Sequence, residues 1–490
     1  MADLAATTAE RLEMGAIGRG IMIVDGEQEP VGAARVARSS APGYPVALFG
    51  LAHGLHPELR PGELVVATEV RSTDGTPPRP LPSASLLAND LRHRGLHVRT
   101  GPIVCSPEDV SDETARELVA AGALAWDSES AWLALELPDH PVAAVRAIAG
   151  TKTDGSTDVE LRALGTFLGV RASLEQWAQA SGPHDVLLAS PRSFCAGVER
   201  AIQIVERALE RFGRPVYVRR QIVHNAHVVA DLEARGAIFV AELEHVPDGA
   251  TVVLAAHGVS PAVRSAAADR SDLTVIDATC PLVAKVHHEA RRYLGQEYQI
   301  VLIGHAEHEE VVGTMGEAVD RIWLVERPED VAELPFDDRD QVGYLTQTTL
   351  STDDTDEVIA ALRRRFPRLV GPAANDICYA TQNRQDAVRA LAHHCDLMLI
   401  VGSTNSSNAA RLVEVARREG CRAELIEDAS ELRLGWLREV ASIGLTAGAS
   451  APEALVTGVI DALGALGPAT VTEHRTTEET VQFSLPRQVR

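Results

Sequence analysis

Apolar residues make up 45% and charged residues 23% of the 490-residue chain, a balance that excludes wholesale disorder and allows about three compact units. Lys and Arg number 46 against 69 Asp and Glu, and the resulting net charge of −23 argues against nucleic-acid binding through bulk electrostatics. No apolar run reaches the ~18 residues of a membrane span and the start carries no basic-then-apolar signal, so a cytoplasmic protein without membrane contact is expected.

Residues 1–150 read as one α/β domain, with strands predicted at 45–49, 64–68, 98–104 and 142–148. Segment 73–82 holds Gly75, Pro77, Pro78, Pro80 and Pro82 and reads as an exposed loop. Residues 151–184 form a connector, with polar turn residues at 151–157 and a helix over 159–180. It ends on Ser181-Gly182-Pro183, the expected domain boundary. From 185 to 490 short strand patterns alternate with amphipathic helices. The strands are predicted at 185–190, 251–256, 273–278, 299–303, 342–346, 396–401 and 440–446. The helix at 197–212 is typical: Val198, Ala201, Val205, Ala208 and Phe212 keep a spacing of three to four, and Gly213 supplies the stop. Such alternation means α/β units with mostly parallel sheets, whose ligand sites collect in loops after strand C-termini.

Three isolated cysteines occupy such loops. Cys195 follows the strand 185–190 and opens the helix near Gly197, and Cys280 follows 273–278 with Pro281 at a first helical position. Cys378 precedes Thr381, an expected N-cap for a helix running to about residue 394. Thiolates at helix N-termini are favoured by free N–H groups and the dipole, which is expected to lower their pKa values. Cys105 ends a strand, Cys395 closes a helix and Cys421 lies in a turn. Taken singly, each cysteine reads as a small core hydrophobe. Three of them at similar positions suit either zinc with one open coordination position or an iron–sulfur cluster with one iron lacking a protein ligand, and spacing does not choose.

Polar motifs surround these thiols. Around the first stands Ala189-Ser190-Pro191-Arg192-Ser193-Phe194-Cys195-Ala196-Gly197-Val198, and around the second Asp277-Ala278-Thr279-Cys280-Pro281-Leu282-Val283. The third lies in Asp376-Ile377-Cys378-Tyr379-Ala380-Thr381. The histidine motifs are Val223-His224-Asn225, Ala256-His257-Gly258-Val259-Ser260 and Gly304-His305-Ala306-Glu307-His308-Glu309-Glu310. Hydroxyl and amide motifs follow in Thr346-Gln347-Thr348-Thr349-Leu350-Ser351, Asn405-Ser406-Ser407-Asn408 and Thr446-Ala447-Gly448-Ala449-Ser450-Ala451-Pro452. Hydroxyls, an amide and helix N-termini after strands suit phosphate oxygens without many formal positive charges, and His224, His257 and His308 add protonatable donors. The run at 305–310 lacks the HExxH order of a zinc protease.

These nine motifs, in this order over about 185–486, resemble the LytB/IspH family of 4-hydroxy-3-methylbut-2-enyl diphosphate reductases. The resemblance implies three α/β lobes around a central cavity, with Cys195, Cys280 and Cys378 each ligating one [4Fe–4S] cluster per subunit. It implies reductive removal of the substrate's hydroxyl to give isopentenyl and dimethylallyl diphosphates, the last step of the methylerythritol phosphate route, with ferredoxin or flavodoxin as electron donor. It makes Glu310 the proton-delivering acid and Thr348 its relay. His224, His257, His308, Thr348, Ser406, Ser407, Asn408 and Ser450 become the substrate contacts. Glu309 stands where the family commonly has proline, and it is expected to face solvent. A three-Cys zinc hydrolase with Glu310 as base, and a cluster-bearing sensor with a nucleoside-binding front domain, are the alternative readings.

The front domain resembles the nucleoside phosphorylase/nucleosidase superfamily. The matching segments are 54–67, 122–131, where Ser128 replaces a methionine, and 145–150, where Gly150 stands in place of the catalytic aspartate. That substitution implies a domain without the superfamily's catalysis, although Asp127 and Asp154 are further acids nearby in sequence.

Overall fold

The computed structural model describes residues 22–25, 43–56, 58–106, 108–128, 130–135, 137–150 and 157–490. The chain's first residues, Asp154 and the turn-rich segment 151–156 lie outside the described residues. The chain divides into two compact units, one of residues 1–186, 428–443 and 457–471, the other of residues 187–427, 444–456 and 472–490. No helix among the described residues is long and apolar enough to cross a membrane.

The first unit is built on one sheet of β1 (Met22–Asp25), β2 (Val46–Gly54), β3 (Leu64–Ser72), β4 (Arg79–Pro80), β5 (Val98–Cys105), β6 (Ala125–Asp127) and β7 (Val142–Gly150). Their order is β1-β2-β6-β5-β3-β4, with β7 pairing both β2 and β3. The 73–82 segment is not wholly an exposed loop: Arg79 and Pro80 pair with Val70 and Glu69, and Leu81 is buried. Helices α1 (Ala84–His93), α2 (Asp112–Ala120), α3 (Ser130–Leu135) and α4 (Thr157–Ala180) accompany the sheet. The core includes Val46, Leu48, Val65, Ile103, Ala144 and Ile148. Inside it Arg146 Nε lies 2.6 Å from a carboxylate oxygen of Asp127, which also accepts from the Ser130 hydroxyl.

From residue 184 the chain carries the βα alternation. Its strands and helices run β8 (His184–Ser190), α5 (Ala196–Phe212), β9 (Val216–Arg219), α6 (Ala226–Ala234), β10 (Ala237–Val240), β11 (Thr251–Leu254), α7 (Pro261–Asp269), β12 (Thr274–Asp277) and α8 (Pro281–Gly295). There follow β13 (Gln299–Ile303), α9 (Glu309–Met315), β14 (Ile322–Val325), β15 (Val342–Thr346), α10 (Thr352–Arg365) and α11 (Tyr379–Ala392). The last are β16 (Leu397–Val401), α12 (Ser407–Arg418), β17 (Arg422–Ile426), β18 (Ser442–Ala447), α13 (Glu453–Gly464) and β19 (Ala469–Arg475). They make sheets of order β10-β9-β11-β12, β14-β13-β15 and β17-β16-β18-β8-β19, the first two parallel throughout. Parallel strands buried on both faces read as continuous apolar runs, and Leu397–Val401 is buried at every position. Helix α5 buries Gly197, Ala201, Ile204, Val205 and Ala208 along one stripe and stops at Gly213, whose φ of +82° suits glycine.

Candidate active site

Each of the three cysteines caps a helix. Cys195 is the N-cap of α5, Cys280 of α8 and Cys378 of α11. Cys378 occupies the cap position expected for Thr381; its sulfur accepts from the Thr381 N–H at 3.4 Å and contacts the Thr381 hydroxyl at 3.2 Å. The thiol replaces the hydroxyl because the helix starts at Tyr379, which puts Cys378 at the cap, three residues before that N–H. Backbone bonds fix the cysteines: Cys195 N–H to Ala449 O at 3.2 Å, Cys280 N–H to Ala256 O at 2.9 Å and Cys378 N–H to Thr348 O at 3.1 Å.

The three sulfurs face one another. A β-carbon on Gly197 would stand 2.8 Å from the Cys280 sulfur and 3.8 Å from that of Cys195, so glycine is what lets the two approach. The expectation of lowered thiol pKa values is corrected. Burial pushes Cys280 up to about 12 and Cys378 up to about 11, and neighbouring thiols add to this. The N–H groups of Leu282 and Val283 favour the Cys280 thiolate but are outweighed. Among the described residues no three His, Cys, Asp or Glu side chains converge tightly enough to hold a single metal ion. A tetrahedral ion holds thiolates at bonds of ~2.3 Å. A four-iron cluster is larger and spreads its ligands further apart, which suits this donor set: three soft, half-buried sulfurs, two of them on either side of Gly197.

Beside the thiols lies a group of imidazoles. His224 and His257 stack with centroids 4.2 Å apart, and His308 meets them edge-on at 5.7 and 5.9 Å. His308 caps α9, its Nδ1 accepting from Glu310 N–H at 3.2 Å, which leaves Nε2 as the donor. His224 Nδ1 lies 3.4 Å from Gln221 Oε1, and the buried His257 Nε2 has no partner. Burial, with mutual repulsion, lowers His224 and His308 to about 4 and His257 well below its usual value. The rings are neutral and ready to charge beside an anion.

The hydroxyl motifs form three small hydrogen-bonded groups. The Ser406 and Ser450 hydroxyls are 3.4 Å apart, and Ser450 donates to His224 O at 3.0 Å. Ser407 accepts from Thr349 Oγ1 at 3.1 Å and Gln347 Nε2 at 3.3 Å. Asn408 donates to Thr381 Oγ1 at 3.4 Å and accepts from Ala449 N–H at 2.9 Å. The buried Gln347, together with Thr349 and Thr381, was missed as part of the site. Their presence inside the quoted motifs was the available signal.

Glu310 is buried, and Thr348 holds it twice: the N–H donates to Oε2 at 3.0 Å and the hydroxyl lies 2.9 Å from both carboxylate oxygens. Burial raises its pKa, while the two Thr348 bonds and nearby His287 pull it down. A small cavity of about 10 Å³, room for one water molecule, adjoins it between Val283, Val286, Leu302 and Thr346. Glu309 does not face solvent as expected. Its side chain is 18% exposed and lies 3.8 Å from Arg220, the cation available where that side chain emerges. Arg219 and Arg220 also pair with Glu242, so these arginines are neutralised locally.

Residues 186–464 match the family model described as LytB protein, a span that contains every candidate site residue. The chain belongs to the LytB family. It is 57% identical over 303 residues to the 4-hydroxy-3-methylbut-2-enyl diphosphate reductase of Acidithiobacillus ferrooxidans, a match covering 62% of this chain and 96% of that protein. The same enzyme of Acidothermus cellulolyticus is also 57% identical, with 62% and 90% covered. The solved structure of the Plasmodium falciparum reductase superposes on this LytB chain with a TM-score of 0.61 at 38% identity, covering 63% of this chain and 97% of that one. A nucleosidase from Helicobacter pylori matches 34% of this chain at 17% identity and a TM-score of 0.29.

Proposed function

We propose that this LytB protein is a cytoplasmic iron–sulfur oxidoreductase. It reduces 4-hydroxy-3-methylbut-2-enyl diphosphate with two electrons and two protons, releasing water and isopentenyl or dimethylallyl diphosphate. The observation that carries the reading is the meeting of three helix-capping thiols with a buried acid and a histidine–hydroxyl group inside one family-matched segment. Cys195, Cys280 and Cys378 would hold a [4Fe–4S] cluster, which when bound would supply a Lewis acid and an electron relay. Ferredoxin or flavodoxin delivers the electrons.

The chain's own residues do the remaining work. Ser406, Ser407, Asn408 and Ser450 offer donors to the diphosphate, and His224, His257 and His308 add charge as the anion raises their low pKa values. Burial shifts the Glu310 carboxyl toward its protonated form, the direction a proton-delivering acid needs. Thr348 orients it and passes the proton through its hydroxyl, which touches both carboxylate oxygens.

Glu310→Gln keeps size and hydrogen bonding but has no carboxylic proton. Turnover is expected to fall on the order of 10²-fold or more while substrate still binds. His257→Ala and Asn408→Ala are expected instead to raise KM. Steady-state kinetics of the anaerobic enzyme check this, and an unchanged kcat in Glu310→Gln removes the acid role.

A further inference from the structure

A buried arginine, Arg384, a half-buried one, Arg200, and the C-terminal segment connect the three cysteine loops. Arg384 lies on α11, six residues beyond Cys378, with its side chain 0% exposed. Its Nη2 donates to Ser193 O at 2.7 Å, Phe194 O at 3.3 Å and Arg192 O at 3.4 Å, and Nε to Ser193 O at 3.2 Å. All three carbonyls belong to the loop leading into Cys195. Its Nη1 meets Ala380 O at 3.0 Å and the Glu479 carboxylate at 3.0 and 3.3 Å. Asn383, also on α11, donates to Glu479 at 3.0 Å.

Arg200 repeats the pattern on α5, five residues beyond Cys195. Its Nη1 donates to Ala278 O and Thr279 O, both at 3.1 Å, the two carbonyls before Cys280. Its Nε donates to Ser484 O at 2.9 Å. The tail that supplies Glu479 and Ser484 is anchored at both ends. Thr476 N–H bonds Ser190 O at 2.9 Å, while Leu485 and Val489 pack with Ala201, Val205 and Ile276.

A buried guanidinium persists only where its N–H fork is used, and here the fork is spent on cysteine-bearing segments. The Cys195 loop needs such a hold. Ser193 sits at φ +57°, a backbone region costly for any residue with a side chain. Its hydroxyl is tied to Glu453 at 2.6 Å and its carbonyl to Arg384. The tail lies beyond residue 464, where the family match ends.

We propose that Arg384, Arg200 and the tail from Thr476 to Arg490 form a brace that sets the spacing of the three cysteine loops, with Glu479 as its catch. The brace rests on the cluster reading given above. Its members are positioning residues and touch neither substrate nor the reacting atoms.

The test uses the full-length chain, isolated without oxygen, as wild type, Glu479→Gln and Arg384→Lys. Iron release to a ferrous chelator is followed at the cluster's absorption. Iodoacetamide labelling of Cys378 is timed separately in metal-free protein. Glu479→Gln is expected to lose iron about tenfold faster, as an ion pair becomes a weaker bond to a neutral amide. Arg384→Lys is expected to lose it faster still, because an ammonium cannot fork to three carbonyls and a carboxylate. The double variant should be no faster than Arg384→Lys alone, and Cys378 should label faster in each. Wild-type rates of iron loss and labelling in both variants overturn the brace. So does a fall in the melting temperature of metal-free Glu479→Gln large enough to account for the change. A wild-type chain that carries no iron refutes the cluster reading instead, and Cys378 labelling in metal-free protein then still decides the brace.

Discussion

Cys280 and Cys378 are buried thiols that keep their protons against the helix N–H groups nearby, so a cationic partner is what makes them thiolates. Cys195→Ser, Cys280→Ser and Cys378→Ser are each expected to lose most iron and activity, because hard oxygen holds such clusters poorly. Cys395 and Cys421, whose sulfurs are 3.6 Å apart, and Cys105 in the front core should tolerate the same change with iron content near normal. Iron analysis checks both arms, and loss of the cluster in Cys395→Ser with retention in Cys378→Ser would reverse the assignment. The histidines give a second expectation at this scale. His224 and His308 titrate near 4 in the fold and near 6.5 unfolded, so the unfolded chain binds more protons between those values. Stability is therefore fully present above about pH 6.5 and declines as pH falls toward 4. A bound diphosphate raises both values, so binding at pH 6 should take up about one proton and tighten as pH falls from 7. Calorimetry in buffers of different ionisation heat measures the uptake, and no uptake, or uptake unchanged in His224→Asn, counts against the contact.

At the scale of elements, the site is a set of loops following strands. Cys280 comes three residues after β12, His257 three after β11 and Thr348 two after β15. That much was legible, since strands such as 299–303 and 342–346 are continuous apolar runs and the structure forms them with those bounds. Strands β9, β10, β14, β17 and β19 were missed: the first four are short and defined by long-range parallel pairing, and β19 is exposed at nearly every position, so no apolar pattern marks it. The stacking of His224 on His257 was equally hidden, because it joins loops 33 residues apart. The α9–β15 junction carries its own prediction. The Thr348 hydroxyl favours the charged form of Glu310, so Thr348→Val should raise the carboxyl's pKa further. With the protonated acid required, the alkaline limb of the kcat profile should move to higher pH while kcat itself falls. A limb that moves down, or not at all, contradicts the pairing.

At the scale of the whole chain, the relatives are reductases matched over about 303 residues, and the family model leaves the first 185 residues unmatched. Deleting residues up to 181 is therefore expected to preserve the cluster and turnover. Solubility should drop, since α4 buries Val170, Leu174 and Trp177 within the first unit. Asp127 is committed to Arg146 and Ser130, and Gly150, the position the sequence resemblance matches to a catalytic acid, has no side chain, so no base release is expected. Incubating the full chain with common purine nucleosides, with and without phosphate, should release no free base. Release of base would restore catalysis to the front domain.

The central claim is tested most directly by purifying the chain without oxygen and supplying 4-hydroxy-3-methylbut-2-enyl diphosphate with a reduced viologen dye. The expected result is a brown protein with absorption near ~400 nm, as sulfur-to-iron charge transfer gives, that forms isopentenyl and dimethylallyl diphosphates as the dye is oxidised. A colourless protein, or a brown one that leaves the substrate's hydroxyl in place, would contradict it.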